Sequence, residues 1–277
     1  MKKEKIPIKR GRQIEHVRAS GRLGAEILRR VAQEIQPGRT TQEVDDAALQ
    51  FMNEAGCKSA FYGYRGFPGQ VCISLNEEVV HGIGGKRRIQ PGDIVKIDVG
   101  IIHNGWIGDN AVTVIVGEID AETEKLLWAT EESLYAAIEY AREGFRLGDL
   151  CASVEHLVQQ YGYTVVREFV GHGVGRRLHE EPQVPNYGTP GTGPRLKEGM
   201  VLAIEPMVNM GTAGVRMLDD NWTVETLDRR PSAHFEHMVL VGKDAPEILT
   251  PRPRRMTRPT GVPEPEPMIE PDPEQLV

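Results

Sequence analysis

Cysteine is scarce in this chain: Cys57, Cys72 and Cys151 are the only three, they lie far apart, and no Cys-x-x-Cys pair occurs. So small and scattered a set builds neither a disulfide framework nor a zinc finger, and a reducing cytoplasm is the compartment that fits it. Long hydrophobic runs are missing as well. None approaches the ~20 apolar residues that span a bilayer, so no membrane partner is expected. The basic start, Met1-Lys-Lys-Glu-Lys-Ile-Pro-Ile-Lys-Arg10, is followed by neither an apolar core nor a small-residue cleavage site, and a signal peptide is not expected. Positive charge is not in surplus: the formal net charge is −7, which argues against nucleic acid as a specific partner. What remains is an ordinary globular composition, 277 residues with 39% hydrophobic and 26% charged, enough for one large domain or two small ones.

The chain is organised around residues 92–113. Two β-rich runs flank Asn104-Gly105, the strongest short-range signal for a two-residue type I′ hairpin. With those residues as the turn, Gly100 faces Asp109 and Asp98 faces Ala111, so the two aspartates lie on one face as diagonal neighbours. Gly100 leaves space beside them. Like charges this close in a β-rich setting are unfavourable unless something cationic sits between them, and the pair could share one ion or two. Solvent-facing aspartates on a strand or turn are the commoner case, and the hairpin alone does not decide between the two readings.

Ile14, Val17, Gly21, Gly24, Leu28, Val31 and Ile35 recur at helical spacing and stop near Pro37-Gly38. Thr40-Thr-Gln-Glu43 is a capping box, opening a second helix with Val44, Ala48, Phe51 and Met52 on its apolar side and Gly56 at its end. A loop rich in Tyr, Phe and Gly (residues 61–70) follows, then β-like runs at 71–74 and 78–81. A second helix pair covers 121–143 and the segment carrying Leu150, Val154, Leu157 and Val158 before Gly162. The halves repeat. Gly38, Val44, Ala48, Phe51, Met52 and Gly56 map at one constant offset onto Gly144, Leu150, Val154, Leu157, Val158 and Gly162. One residue further on in offset, Gly92-Asp-Ile-Val-Lys-Ile-Asp98 maps onto Gly199-Met-Val-Leu-Ala-Ile-Glu205. A carboxylate ends the equivalent strand in each half.

Between these strands, the first part of the run from Val165 to Pro182 reads as a strand, and Gly171, Gly173 and Gly175 would let the backbone turn tightly around His172. In the last strand, 233–241, alternation puts Glu236 on a face with His234, Met238 and Leu240, where an acid needs a partner. The expected organisation is a basic segment at 1–12, one catalytic domain at 13–248 with repeat halves of about 13–120 and 121–248, and a proline-rich tail at 249–277. The tail's composition predicts a disordered or surface-draped segment.

Asp98, Asp109, His172, Glu205 and Glu236 then stand as five candidate ligands. Carboxylate oxygens with one imidazole suit a pair of divalent ions (Co, Mn, Fe or Zn) better than a structural zinc, which prefers thiolates. At these residues the chain resembles the type I methionine aminopeptidases of the pita-bread metallopeptidases. The resemblance runs from about Ile14 to Val241, carried by Gly171-His-Gly-Val-Gly-Arg176, His179-Glu-Glu-Pro182, Ile204-Glu-Pro206, Phe235-Glu-His237 and the spacing of Asp98 from Asp109. It implies an α/β (α+β) pita-bread fold, two pseudo-symmetric helix-helix-sheet halves around a central antiparallel sheet, in agreement with the repeat. It further implies one metal on Asp98, Asp109 and Glu236 bridging both metals, and His172 with Glu205 completing the other. A water or hydroxide between the ions would be the nucleophile, with the metals lowering its pKa.

By the same resemblance Glu205 doubles as the proton shuttle, His179 donates to the scissile carbonyl oxygen and His81 contacts the backbone beyond the scissile bond. Read alone, each is a histidine near a glycine or an acidic pair. Tyr64, Cys72 and Trp222 match the family's methionine pocket, and Phe67 stands where a tyrosine is usual. Such a wall would hold an unbranched thioether by dispersion and sulfur-aromatic contact, although read alone these residues would be core packing. Phe61, Leu178, Gly84-Gly85 and Asn110 depart from the family pattern and bear on the pocket's shape, not on the ligands.

The implied activity is metal-dependent removal of the initiator methionine when the second residue is small, acting on nascent polypeptide N-termini in the cytoplasm, by a monomer. The run Lys2, Lys3, Lys5, Lys9, Arg10 and Arg12 is a candidate ribosome contact, although charge runs are usually solvated surface. The competing readings are a prolidase or X-Pro aminopeptidase on the same fold, and a binding protein that keeps the frame without activity. The prolidase group usually carries a large extra N-terminal domain and a different setting around the two histidines, whereas about 13 residues precede the first helix here, so the methionine aminopeptidase reading is the one expected.

Overall fold

The computed structural model describes residues 5–268. Its helices start where the sequence supplies start signals. The Thr40 hydroxyl accepts from the Glu43 N–H while the Glu43 carboxylate accepts from the Thr40 N–H, closing the expected capping box. Asp120 likewise accepts from the Thr123 N–H at 2.9 Å. The helices are α1 (Arg12–Gln33), α2 (Thr41–Glu54), α3 (Ala121–Glu139) and α4 (Leu147–Gln159). The first half carries strands β1 (Lys58–Ser59), β2 (Cys72–Leu75), β3 (Glu78–Val80), β4 (Ile94–His103) and β5 (Trp106–Ile115). The second carries β6 (Thr164–Val165), β7 (Gly171–Gly173), β8 (Glu180–Val184), β9 (Val201–Ile204), β10 (Met207–Asn209), β11 (Val215–Met217), β12 (Val224–Thr226), β13 (Ser232–His234), β14 (His237–Leu240) and β15 (Glu247–Ile248).

The hairpin forms in the register read from the sequence. β4 pairs antiparallel with β5, Gly100 opposite Asp109 and Asp98 opposite Ala111. Asn104 and Gly105 both take positive φ, 52° and 76°, as a type I′ turn requires. β4 also pairs with β1 and β2, giving a four-stranded sheet, and β9 lies at the centre of a five-stranded sheet in the order β15-β14-β9-β7-β8. β4 and β9, the repeated strands, thus occupy inner positions in their sheets. One core cluster takes Ile27, Val44 and Ile97 from the first half and Leu126, Leu150 and Leu202 from the second. A second cluster gathers Phe61, Phe67, Cys72, Val174, Leu178 and Met238, with Tyr64 and Trp222 packed against it. No helix of the described residues is long and apolar enough to cross a membrane.

Four local expectations are corrected. The strand expected at the start of the run from Val165 is only Thr164–Val165, with one further bond to β10 from the Val166 N–H to the Met207 carbonyl before the chain departs. Gly171 and Gly173 do not turn the chain; they are strand residues, and a Cβ on Gly173 would lie 2.1 Å from the Glu181 carbonyl oxygen, so they serve close strand approach. The strand read at 233–241 breaks into β13 and β14, since the Glu236 N–H turns to the Ala111 carbonyl of β5 at 3.0 Å. Of the two forms expected for the tail, residues 249–268 take the surface-draped one and are not disordered. Thr250 is fully buried, Glu131 accepts from the N–H groups of Arg255 and Met256 at 2.9 and 2.7 Å, and Gln160 exchanges hydrogen bonds with the Glu266 backbone. Residues 269–277 of that tail lie outside the described residues, as do Lys2 and Lys3 of the basic run. Lys9, from the same run, is buried in an ion pair with Glu180 at 2.6 Å rather than exposed.

Candidate metal centre and substrate cavity

Asp98 and Asp109 leave the hairpin on one face, as their register dictates. Opposite them, His172 of β7 pairs with Ala203 of β9, and β9 pairs with β14 so that Ile204 faces His237. The residues just past those paired ends are Glu205 and Glu236. Two contacts lock the sheets together at this point: the Glu236 N–H donates to Ala111, and the Asp109 N–H points at the Met238 sulfur at 3.0 Å. The four carboxylates and His172 therefore line one cavity of about 250 Å³.

Donor atoms of Asp109, His172 and Glu236 lie within 4.8 Å of one another, and all three side chains are buried. His172 Nε2 stands 3.5 Å from Glu205 Oε1 and 3.8 Å from Asp109 Oδ2. Its other nitrogen, Nδ1, donates to the Gly173 carbonyl at 3.0 Å, which fixes the tautomer and leaves the Nε2 lone pair facing the carboxylates. Asp98 Oδ1 is sealed from solvent with no hydrogen-bond partner among the described residues. In the metal-free protein burial pushes the Asp109 carboxyl up to about 7, and burial together with the neighbouring carboxylates drives Asp98, Glu205 and Glu236 well above the usual range. Burial brings His172 down to about 3, so the ring is neutral and able to ligate. An orphaned carboxylate oxygen, a neutral imidazole and mutually repelling acids fit hard or borderline divalent cations. Cys72 is no candidate for such a set, since burial and the nearby acids hold its thiol protonated.

Tyr64, Phe67, Cys72, His81, His179 and Trp222 line the same cavity. Cys72 sits opposite Asp98 in the β2–β4 register, and Phe67 meets Trp222 edge-on with centroids 5.1 Å apart. His81 adopts a left-handed backbone, φ 61°, between Phe169 and Trp222 at 5.3 and 6.2 Å. A non-glycine residue held there is strained, a state structures tolerate mainly at functional positions. Burial and the nearby His179 lower its pKa to about 4. Tyr64 Oη lies 2.8 Å from His179 Nδ1.

All eleven residues singled out from the sequence thus border one cavity. Sequence reasoning missed Arg65, Phe169 and Met207, which line it too. Phe169 could have been sought from its place just before the glycine-flanked His172. Arg65 gave no signal, because its left-handed φ of 50° belongs to an irregular loop. The space expected beside Gly100 is filled by the Phe61 ring, whose nearest atom lies 2.3 Å from where a Gly100 Cβ would sit. Asn110 points away from the cavity, donating to the Val99 carbonyl at 3.1 Å.

A sequence profile of metallopeptidase family M24 matches residues 15–243. Methionine aminopeptidase 1 of Bacillus subtilis is 47% identical over 245 residues, 88% of this chain and 99% of the relative. Among solved structures, methionine aminopeptidase from Thermotoga maritima shares the fold with a TM-score of 0.87 and 45% identity, covering 90% of this chain and 100% of that one. The enzyme of the same name from Rickettsia prowazekii gives 0.87 at 38% identity, over 89% of this chain and 100% of its own. The architecture is accordingly the pita-bread fold that the resemblance implied, in agreement with the repeat. With most of its length matched, and its cavity at the junction of the repeated strands, the chain belongs to metallopeptidase family M24.

Proposed function

We propose that this protein hydrolyses the first peptide bond of chains beginning with methionine, using two divalent ions held by Asp98, Asp109, His172, Glu205 and Glu236. The observation that carries the reading is the gathering of these five side chains, two further histidines and an aromatic and cysteine wall around one cavity. A bound divalent ion supplies Lewis-acid activation of water and of the scissile carbonyl. The chain's own groups do the rest. Glu205, bordered by His172 and 4.0 Å from His234, takes the proton of the attacking water and passes it to the leaving amine. Tyr64, donating to His179 Nδ1, leaves the ring proton on Nε2, which then donates to the scissile carbonyl oxygen. Burial and the Arg65 cation lower the His179 pKa, so the ring works as a neutral donor. His81 holds the peptide backbone past the scissile bond. Phe67, Cys72 and Trp222 take the methionine side chain, and a small second residue suits the crowding by Phe61 and Leu178.

We assign the acceptor class as nascent N-termini in a reducing cytoplasm, where the three buried, unpaired cysteines are stable, and the active form as a monomer. His179→Ala is expected to lower kcat by roughly 10²-fold, with metal binding per chain unchanged by elemental analysis. The deciding assay follows release of the first residue from Met-Gly, Leu-Gly and Ala-Pro peptides by chelator-stripped protein given Mn or Co. Metal-dependent cleavage of the methionine peptide alone is the expected result. Cleavage of Ala-Pro would move the protein to the prolidase reading, and no cleavage with metal bound would make it a binding protein.

A further inference from the structure

Glu236 closes the metal centre from a backbone that has left its sheet. Between β13 and β14 the ladder is interrupted, so the Glu236 carbonyl has no strand partner, and its N–H is committed to Ala111. The partner for that carbonyl arrives from the C-terminal segment. Arg252 Nη1 donates to the Glu236 carbonyl oxygen at 2.8 Å and to His237 Nδ1 at 3.0 Å. Thr250, two residues before it, places its hydroxyl 2.9 Å from His237 Nδ1 and accepts from the Met238 N–H at 3.1 Å. The segment is fixed on its other side by Glu131, which receives the N–H groups of Arg255 and Met256.

This arginine sits in an unusual place. Its Nε and Nη2 are sealed from solvent with no hydrogen-bond partner among the described residues, a costly arrangement for a guanidinium. An apolar side chain of the same length would fill the space without that cost. What it could not do is hold the Glu236 carbonyl. Arg252 also lies past the end of the family match at residue 243, in the part whose composition reads as a featureless tail.

We infer that Arg252 is a positioning residue for Glu236: it fixes, from behind, the peptide unit that aims this carboxylate at the metal. The inference rests on the reading of Glu236 as a ligand. Partners that orient a ligand without touching the metal are typically worth about 10- to 100-fold in metal affinity. The effect expected here is at the lower end, because the backbone is held rather than the carboxylate itself.

The test uses the full chain, stripped of metal and titrated calorimetrically with Mn(II), alongside thermal unfolding of the metal-free forms. Arg252→Met keeps the packing of the stem and removes the donor. It is expected to fold at least as well as the original chain and to bind Mn(II) about 10-fold more weakly. Arg252→Lys, which keeps a charged donor, is expected to recover most of that loss, and Arg258→Ala, on the same segment but paired with Glu264, to change nothing. A folded Arg252→Met that binds Mn(II) as tightly as the original chain overturns the inference. If that variant does not fold, the guanidinium ¹⁵N resonances of Arg252 in the unsubstituted protein decide: they shift on Mg(II) or Zn(II) addition if Glu236 and Arg252 are coupled, and unmoved resonances overturn it. Failure of the unsubstituted chain to bind any of these ions would instead remove the reading of the metal centre.

Discussion

Replacing Glu205 by glutamine is expected to cut kcat by about 10³-fold or more while leaving the fold and its melting temperature in the metal-free state intact or improved. The amide keeps the volume and one carbonyl oxygen, so the place beside His172 survives, as does the bond from Asn186 to the backbone carbonyl of residue 205. Two things are lost. The proton carrier disappears, and one anionic donor is replaced by a neutral one. The metal-free protein gains in exchange, because Glu205 is one of several buried carboxylates that raise one another's pKa. Steady-state kinetics on a methionine peptide at saturating metal separates the effects: a variant whose activity returned on raising the metal concentration would show that Glu205 only binds, and the proton-transfer role would fall.

Metal removal is the second large effect, and its pH dependence has a definite sign. Chelation is expected to abolish turnover and to leave a centre of uncompensated acids. In the metal-free fold Asp109 is held at about 7, above the ordinary carboxyl value, by burial. Below the unfolded-state pKa, about 4, both states are protonated and no penalty exists. As pH rises toward 7 the unfolded chain releases its proton while the folded one retains it. Stability therefore falls across that window, by about 4 kcal/mol for this group alone. Asp98, Glu205 and Glu236, shifted in the same direction, extend the loss to higher pH. A bound divalent ion removes the cause. Melting curves of stripped and reloaded protein at pH 5 and pH 8 should show a small difference at the lower pH and a wide one at the higher. The buried neutral histidines, held at about 3 to 4, add stability to both forms as pH rises through about 6.5, so the gap between stripped and reloaded protein is the readout. A gap no wider at pH 8 than at pH 5 would mean that the acids are not mutually buried as described.

The parts of this centre that were legible in the sequence are those set by local rules. The Asn-Gly turn dictated the register of β4 with β5, which put Asp98 and Asp109 on one face. The repeat brought Glu205 to the end of the strand equivalent to that of Asp98. The roles proposed for His81 and His179 came only through resemblance, because an isolated histidine has no periodic signature. What remained hidden depends on distant partners. The interruption before β14 is invisible in a run of alternating apolar residues, since its cause is a carbonyl on another sheet, that of Ala111. Proline content suggested disorder after residue 248, and no local rule could reveal that Glu131 and His237 would be waiting for that segment. Lys9 looked like surface charge for the same reason.

The pairing of Lys9 with Glu180 joins positions 171 residues apart, and Glu180 directly follows His179. Closing a loop of that length costs entropy that is recovered only once both ends are in place. The hairpin with its two aspartates needs nothing beyond residue 115 to pair, yet Glu236 must be made before the metal set is complete. In biosynthetic time the core shared by the two halves and the set of acids are therefore both completed only when the last quarter of the chain has been made. Its ability to process other chains arises only near the end of its own.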